Sequence, residues 1–321
     1  MNKYLLNPGF LVLAPMDDVT DRVFRDIINK CYPPNLYFTE FVNVDGLVSK
    51  GRETLRKKLD HPKTEKNLVA QIWGLNPLNF YQIAKEIADN EFGKFLGVDL
   101  NMGCPDKVVV KNGACSALIN NRELAKDIIE ATRKGLKGKL PLSVKTRLGF
   151  NKLDYSWIEF LLNQKLDMLI VHARTRTEMS KVPARWDSFK TIKELRDKIS
   201  PNTLIVGNGD ILNYQKALEL IEEYKIDGAM IGRGVFQDPF VFSKKSPWES
   251  YTKKQKLDLL KTHVELFKKT WNDSRPSNIL NKFCKIYINN FDGSKQLRED
   301  LMNSKSSDEL LFKINKQIDL I

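Results

Sequence analysis

The sequence predicts an α/β protein: a (β/α)8 barrel over residues 1–243, followed by an all-helical domain over residues 244–321. Three observations lead there. Eight short apolar segments alternate with amphipathic ones as far as Phe242. Most of those apolar runs are continuous rather than alternating, as parallel strands covered on both faces require. After Pro239 the strand pattern stops and only helical periodicity continues.

Taken in order, the expected strands are Phe10–Ala14, Leu36–Glu40, Leu68–Ile72, Phe95–Leu100, Leu142–Thr146, Met168–His172, Leu204–Val206 and Gly228–Ile231. Between them lie the expected helices Asp21–Cys31, Asn79–Asn90, Asn121–Lys134, Tyr155–Lys165, Phe189–Asp197 and Asn213–Tyr224. Thr20-Asp21 and Asn76-Pro77 are helix-start signals, because a short polar side chain can accept from an orphan N–H and proline pre-sets the first turn. The link after the second strand is less regular. An open doubly wound sheet is the alternative, but the glycine-rich turn expected after its first strand is missing. In the tail, Ser250–Trp271, Ile279–Phe291, Gln296–Met302 and Asp308–Ile318 read as helices separated by Asn, Ser, Gly and Pro.

Composition narrows the class. Of 321 residues, 42% are hydrophobic and 29% charged, which excludes wholesale disorder and fibrous repeats. No apolar run approaches the roughly 18 residues of a membrane span. Asn7-Pro8-Gly9 interrupts the apolar start, and no small-residue cleavage site follows. Four widely spaced cysteines do not form a secreted disulfide framework, so the expected compartment is the cytoplasm. Metal binding is not expected, since the three histidines are far apart and no CxxC pair exists. The net charge is +12, and residues 244–321, with 16 basic and 10 acidic side chains, carry half of it. Aromatics lie beside those cations, at Phe267 to Trp271 and at Lys282 to Tyr287. Such interleaving suits a nucleic-acid surface, although aromatics at helical spacing more often form core.

In a barrel of this kind the active site lies at the C-terminal ends of the strands. Those positions hold Pro15-Met16-Asp17, Gln71, Asn101, Cys104, Lys145, Arg147, His172, Asn208-Gly209-Asp210 and Gly232-Arg233. Polar and ionisable side chains thus sit where packing alone would place none. Glycines after the last two strands let backbone N–H groups approach a phosphate, and Arg233 adds a charged fork. Lys145 would be costly there unless it met an anion or an electron-rich ring. Gln71 and Asn101 can read the polar edge of a flavin or a base. Gly103 and Pro105 bend the chain around Cys104, whose thiol stays protonated near neutrality and can act as a general acid.

These segments carry a resemblance. LAPMDDVTDRVFR, VAQIWG, DLNMGCPDKVVVKNGACSAL, SVKTRLGF, VHARTR, VGNGDI and AMIGRGVFQDP are similar to those of the tRNA-dihydrouridine synthases, and the resemblance runs into the tail at NKFCKIYI. It implies FMN contacts from Pro15, Met16, Asp17, Gln71, Lys145, His172, Asn208, Gly209, Asp210, Gly232 and Arg233. It also implies Cys104 as proton donor, with Asn101, Lys145 and Arg147 near the target uracil. NADPH or NADH would be the reductant and tRNA the partner, gripped by the helical domain of an expected monomer. Asp17-Asp18 and Cys115 stand where the family often has small residues or glycine. Two rivals remain open. A flavin barrel acting on a free pyrimidine, of the dihydroorotate-dehydrogenase kind, would need no basic tail. An RNA-binding protein with an inactive barrel would not need Cys104, Lys145 and Arg233 together.

Overall fold

Parallel pairing joins nine strands: β1 (Phe10–Leu13), β2 (Tyr37–Phe38), β3 (Val42–Asn43), β4 (Leu68–Trp73), β5 (Gly97–Met102), β6 (Leu142–Arg147), β7 (Met168–His172), β8 (Leu204–Asn208) and β9 (Gly228–Ile231). The computed structural model describes Tyr4 and residues 6–272 and 274–321. The order β1-β9-β8-β7-β6-β5-β4-β2 is closed by a parallel bridge between Val12 and Leu36, so the sheet is a barrel. Every described pairing is parallel. Strands covered on both faces have no solvent side to mark with polar residues. That is why β7 reads as an unbroken apolar run, with only His172 at its end less than fully buried.

The second expected strand is shorter than the sequence suggests. It is split into β2 and β3, both paired to β4. Between those two steps Thr39 turns its hydroxyl to accept from the Gln71 N–H at 3.0 Å. Two short helices, Val44–Leu47 and Arg52–Leu55, and the 3-10 turn Arg56–Lys58 follow where a single long helix would otherwise stand. Elsewhere the expected helices are present within a few residues. Asn76 caps the helix Pro77–Ala88 by accepting from Leu78 N–H at 3.0 Å.

The described residues divide into two compact units, one of Met1–Arg22, Pro34–Ile211 and Gln215–Gly232, the other of Val23–Pro33, Leu212–Tyr214 and Arg233–Ile321. The first holds the barrel. The second holds the tail and nearly all of the helix Arg22–Cys31, whose sequence position alone suggested a barrel helix. Phe24 explains the assignment: its ring lies 5.0 Å from Phe283 and 5.9 Å from His263. An apolar helix face identifies a core but not which one.

Within the second unit, Lys253–Trp271 is the longest helix, started by a reciprocal capping box of Thr252 and Gln255. Phe267, Trp271, Phe283 and Tyr287 are all buried. The aromatics that suggested a nucleic-acid surface are therefore core. The segment expected as the helix Ile279–Phe291 is a 3-10 stretch, Ser277–Phe283, continued by one α turn, Cys284–Tyr287. Asn289 stops it by donating to the Lys285 and Ile286 carbonyls, a local bond that competes with helix continuation.

Candidate active site

Strand period two builds the site. Side chains two apart on a strand share a face. Val12, Phe38, Val69, Ile170, Val206 and Met230 belong to one buried cluster filling the barrel. Two residues further along the same strands and their exits come Ala14, Glu40, Gln71, His172, Asn208 and Gly232. The register Gln71↔Asp99↔Ser143 and Asn101↔Lys145↔Ile170 puts Asp99, Ser143, Asn101 and Lys145 on the same inner face. The interior thus changes from apolar to polar toward the C-terminal ends of the strands, where barrels carry their chemistry.

The turn after β5 is pinned on several sides. Asn101 Oδ1 accepts from the N–H of Gly103 at 3.1 Å and of Cys104 at 2.9 Å. The Gly103 carbonyl accepts from Arg147 Nε at 2.8 Å, and the Cys104 carbonyl from Ser116 Oγ at 2.7 Å. Cys104 is partly accessible, and burial pushes its thiol up from its ordinary range, so it holds its proton at neutral pH. Cys115, in the left-handed region at φ 53°, is 1% exposed, and burial pushes its thiol up further. The two thiols are thereby distinguished: one can reach a ligand and the other is enclosed.

The Lys145 side chain makes no hydrogen bond or ion pair with any described residue. Burial lowers its ammonium to about 8, aided by Arg147 and opposed by Asp99. Arg147, 6% exposed, also donates through one terminal nitrogen to the Thr175 and Met179 carbonyls, both at 3.1 Å. It fastens the Cys104 turn to the loop after β7, and its other terminal nitrogen has no bond to a described residue.

The loop after β8 is equally fixed. Asn208 Nδ2 donates to the Met230 carbonyl at 2.8 Å, and Trp186 Nε1 donates to the Gly209 carbonyl at 2.9 Å. Asp210 accepts from Ala184 N–H at 2.9 Å and pairs with the buried Arg174. Arg174 Nη1 lies 3.0 Å from His172 Nε2. A guanidinium can only donate, so Nε2 accepts and His172 carries its ring proton on Nδ1.

A Cβ at Gly209 would come within 2.9 Å of Ala184 Cβ, at a φ of +129°. At Gly232 it would meet only Ala14 Cβ at 3.6 Å and Met16 Sδ at 4.0 Å. Packing therefore disfavours a side chain at 209, whereas a Cβ at 232 would make only ordinary van der Waals contacts, so packing alone does not require that glycine. A lysine whose side chain has no hydrogen bond or ion pair among the described residues, together with the amide side chains of Gln71 and Asn101, forms a donor set that fits the polar edge of an FMN ring.

Near the end of β1, Thr20 Oγ1 accepts from Met16 N–H at 2.9 Å and donates to the Met16 carbonyl at 3.1 Å, shaping the Pro15-Met16-Asp17 turn. Asp18, at φ 54°, donates its N–H to the buried Glu40 at 2.9 Å, while Asp17 pairs with Lys58. Arg233, exposed, opens the 3-10 turn Arg233–Phe236 and belongs to the second unit. The other residues expected at the site all lie at or just beyond strand C-terminal ends of the first unit. Sequence reading missed Asp99, Ser143 and Glu40, and it placed Arg174 at a strand exit without giving it a role; a polar residue inside an apolar strand was the available signal for the first two.

A parallel barrel with a polar, cation-bearing inner face toward the C-terminal ends of its strands and a held thiol has the arrangement of barrels that carry chemistry at that end. The sequence profile of the dihydrouridine synthase family matches residues 12–320. A protein of Staphylococcus aureus (strain COL) named probable tRNA-dihydrouridine synthase is 43% identical over 317 residues, covering 97% of this chain and 94% of that protein. Probable tRNA-dihydrouridine synthase 2 of Bacillus subtilis (strain 168) is 43% identical over 305 residues, covering 94% and 91%. Among solved structures, histamine dehydrogenase from Rhizobium sp. 4-9 aligns with a TM-score of 0.54 at 11% identity, over 83% of this chain and 51% of that one. That likeness reports the barrel fold alone. The chain belongs to the dihydrouridine synthase family.

Proposed function

We propose that this protein reduces uridines of tRNA to 5,6-dihydrouridine, with FMN as resident cofactor and NADPH or NADH as reductant. Family membership supports the reaction. The observation that carries the site assignment is the polar inner layer, in which the Lys145 side chain has no hydrogen bond or ion pair among the described residues, near a pinned, protonated Cys104.

When bound, FMN supplies the hydride that uracil C6 receives. The residues proposed to hold it are Pro15, Met16, Asp17, Gln71, Lys145 and His172, with Asn208, Gly209, Asp210, Gly232 and Arg233 toward its phosphate. Reduction at C6 places negative charge on the uracil carbonyl. Lys145 and the unused nitrogen of Arg147 stabilise that charge in a low-dielectric setting. Cys104 donates its proton to C5, and Asn101 orients the base. The uridine must be unstacked to enter, because its C5–C6 bond is unreachable inside a folded RNA. Residues 244–321, which hold half of the excess positive charge, grip the tRNA through its phosphates and shape. Residues 1–243 act as the catalytic barrel, and the protein works as a cytoplasmic monomer. No helix is long and apolar enough to cross a membrane among the described residues.

Purified protein should carry FMN and, given NADPH and tRNA lacking the modification, should raise its dihydrouridine content by mass spectrometry. Protein without flavin, or loaded protein that leaves the tRNA unchanged, contradicts the proposal.

A further inference from the structure

Asp99 lies in the middle of β5 with no exposed surface, and the proposed chemistry gives it no task. Both of its oxygens are engaged. Ser143 Oγ donates to Oδ1 at 2.6 Å, and Gln71 Nε2 donates to Oδ2 at 2.7 Å. The Gln71 carbonyl oxygen accepts from Asn101 Nδ2 at 3.2 Å. Asn101 Oδ1 then accepts from the N–H groups of Gly103 and Cys104.

The ends of this run have fixed polarity. A carboxylate only accepts and a backbone N–H only donates. Each amide between them therefore has one orientation that satisfies every contact. Turning either by 180° sets oxygen against oxygen or N–H against N–H, in a site where mismatches are costly.

We propose that Asp99 is a positioning residue: through the Gln71 and Asn101 amides it fixes the Cys104 turn and the orientation in which both amides face their ligands. The proposal rests on the reading of Cys104 and the two amides as site residues. Burial pushes the Asp99 carboxyl up to about 7, opposed by Ser143, Gln71 and Lys145. Its protonation does not reverse the run, because the Ser143 hydroxyl can rotate to accept while Oδ2 still accepts from Gln71.

Polarity gives the test. In Asn101→Asp the new carboxylate still serves the two N–H groups but presents an acceptor to Gln71. Gln71 must turn, and its oxygen then meets the Asp99 carboxylate when Asp99 is ionised, so the assays are run at pH 9, above its value of about 7. Adding Asp99→Asn supplies an N–H for that oxygen, so the whole run is satisfied in reverse. The readouts are Cys104 alkylation by iodoacetamide, resolved by peptide mass spectrometry, and amide hydrogen exchange across Gly103 and Cys104. Asn101→Asp should speed both by about tenfold or more, and the double variant should return both to within about threefold of the parent protein. A double variant as perturbed as the single one, or a single one without effect, overturns the proposal.

Should Asn101→Asp not fold, Asp99→Asn and Asp99→Leu decide instead. The first keeps an acceptor for Gln71 and should leave alkylation near the parent rate; the second should raise it. Equal rates overturn the proposal. No arm uses tRNA or reductant. A protein showing the rescue yet forming no dihydrouridine would refute the proposed activity and leave the role of Asp99 standing.

Discussion

Lys145 shows how a single residue declares a site. A charged side chain on the inner face of a barrel strand is costly without an anion or carbonyl to meet, and that cost made it legible in the sequence. Its ordinary value of 10.5 falls to about 8 through burial, so its charge is present below that pH and is lost as pH rises through it. Affinity of the flavin-free protein for FMN should therefore decline above about pH 8. Lys145→Met should bind FMN weakly, by about tenfold or more, with little change over the same range. Titration of flavin fluorescence checks this, and a parent protein whose affinity is flat to pH 10 would remove Lys145 from the contact set. Asp99 was not legible in this way, and Arg174 was legible at a strand exit but not in its role. Their meaning lies in partners on neighbouring strands and loops, such as Gln71 and Ser143 for Asp99 and Asp210 for Arg174, which no local pattern pairs.

At the scale of elements, strands and their exits were readable because parallel strands are apolar runs ended by polar residues. Three elements were not. The second strand is interrupted where Thr39 serves Gln71; the segment after Pro276 winds as a 3-10 stretch; and the helix Arg22–Cys31 gives its apolar face to the second unit. Hydrophobic periodicity reports that a face is buried, not how tightly the backbone winds or which core receives it. The two glycine turns separate packing from binding. Gly209→Ala should destabilise the fold by ~1–3 kcal/mol, because its Cβ would crowd Ala184 at a strained φ. Gly232→Ala should leave the melting temperature unchanged, since its Cβ would make only ordinary contacts with Ala14 and Met16, yet weaken FMN binding. Thermal melts and flavin titrations of both variants check the pair. A destabilised Gly232→Ala that binds FMN normally would invert the assignment.

Across the whole molecule, the charge excess was legible but the aromatics beside it were misleading, since Phe267, Trp271, Phe283 and Tyr287 proved to be core. What remains for a polyanion is the cationic surface of residues 244–321. Lys269 and Lys285 are exposed and make no ion pair with a described residue. Replacing both with Glu should weaken tRNA binding and lower its salt dependence by roughly 0.7–0.9 log units per lost phosphate contact, while flavin content stays constant. Filter binding at several salt concentrations checks this; an unchanged slope would place the tRNA elsewhere.

The central claim is that Cys104, held at the end of β5, supplies the proton that completes uridine reduction. The direct measurement is single-turnover reoxidation of the NADPH-reduced protein by unmodified tRNA, with dihydrouridine counted in the product, for the parent protein, Cys104→Ala and Cys115→Ala. Cys104→Ala should retain FMN, its reduction by NADPH and tRNA binding, yet form dihydrouridine about 100-fold more slowly or worse. The enclosed Cys115 should be replaceable by alanine without loss of rate. A Cys104→Ala protein that works at the parent rate, or a Cys115→Ala protein that is the slow one, would contradict the account.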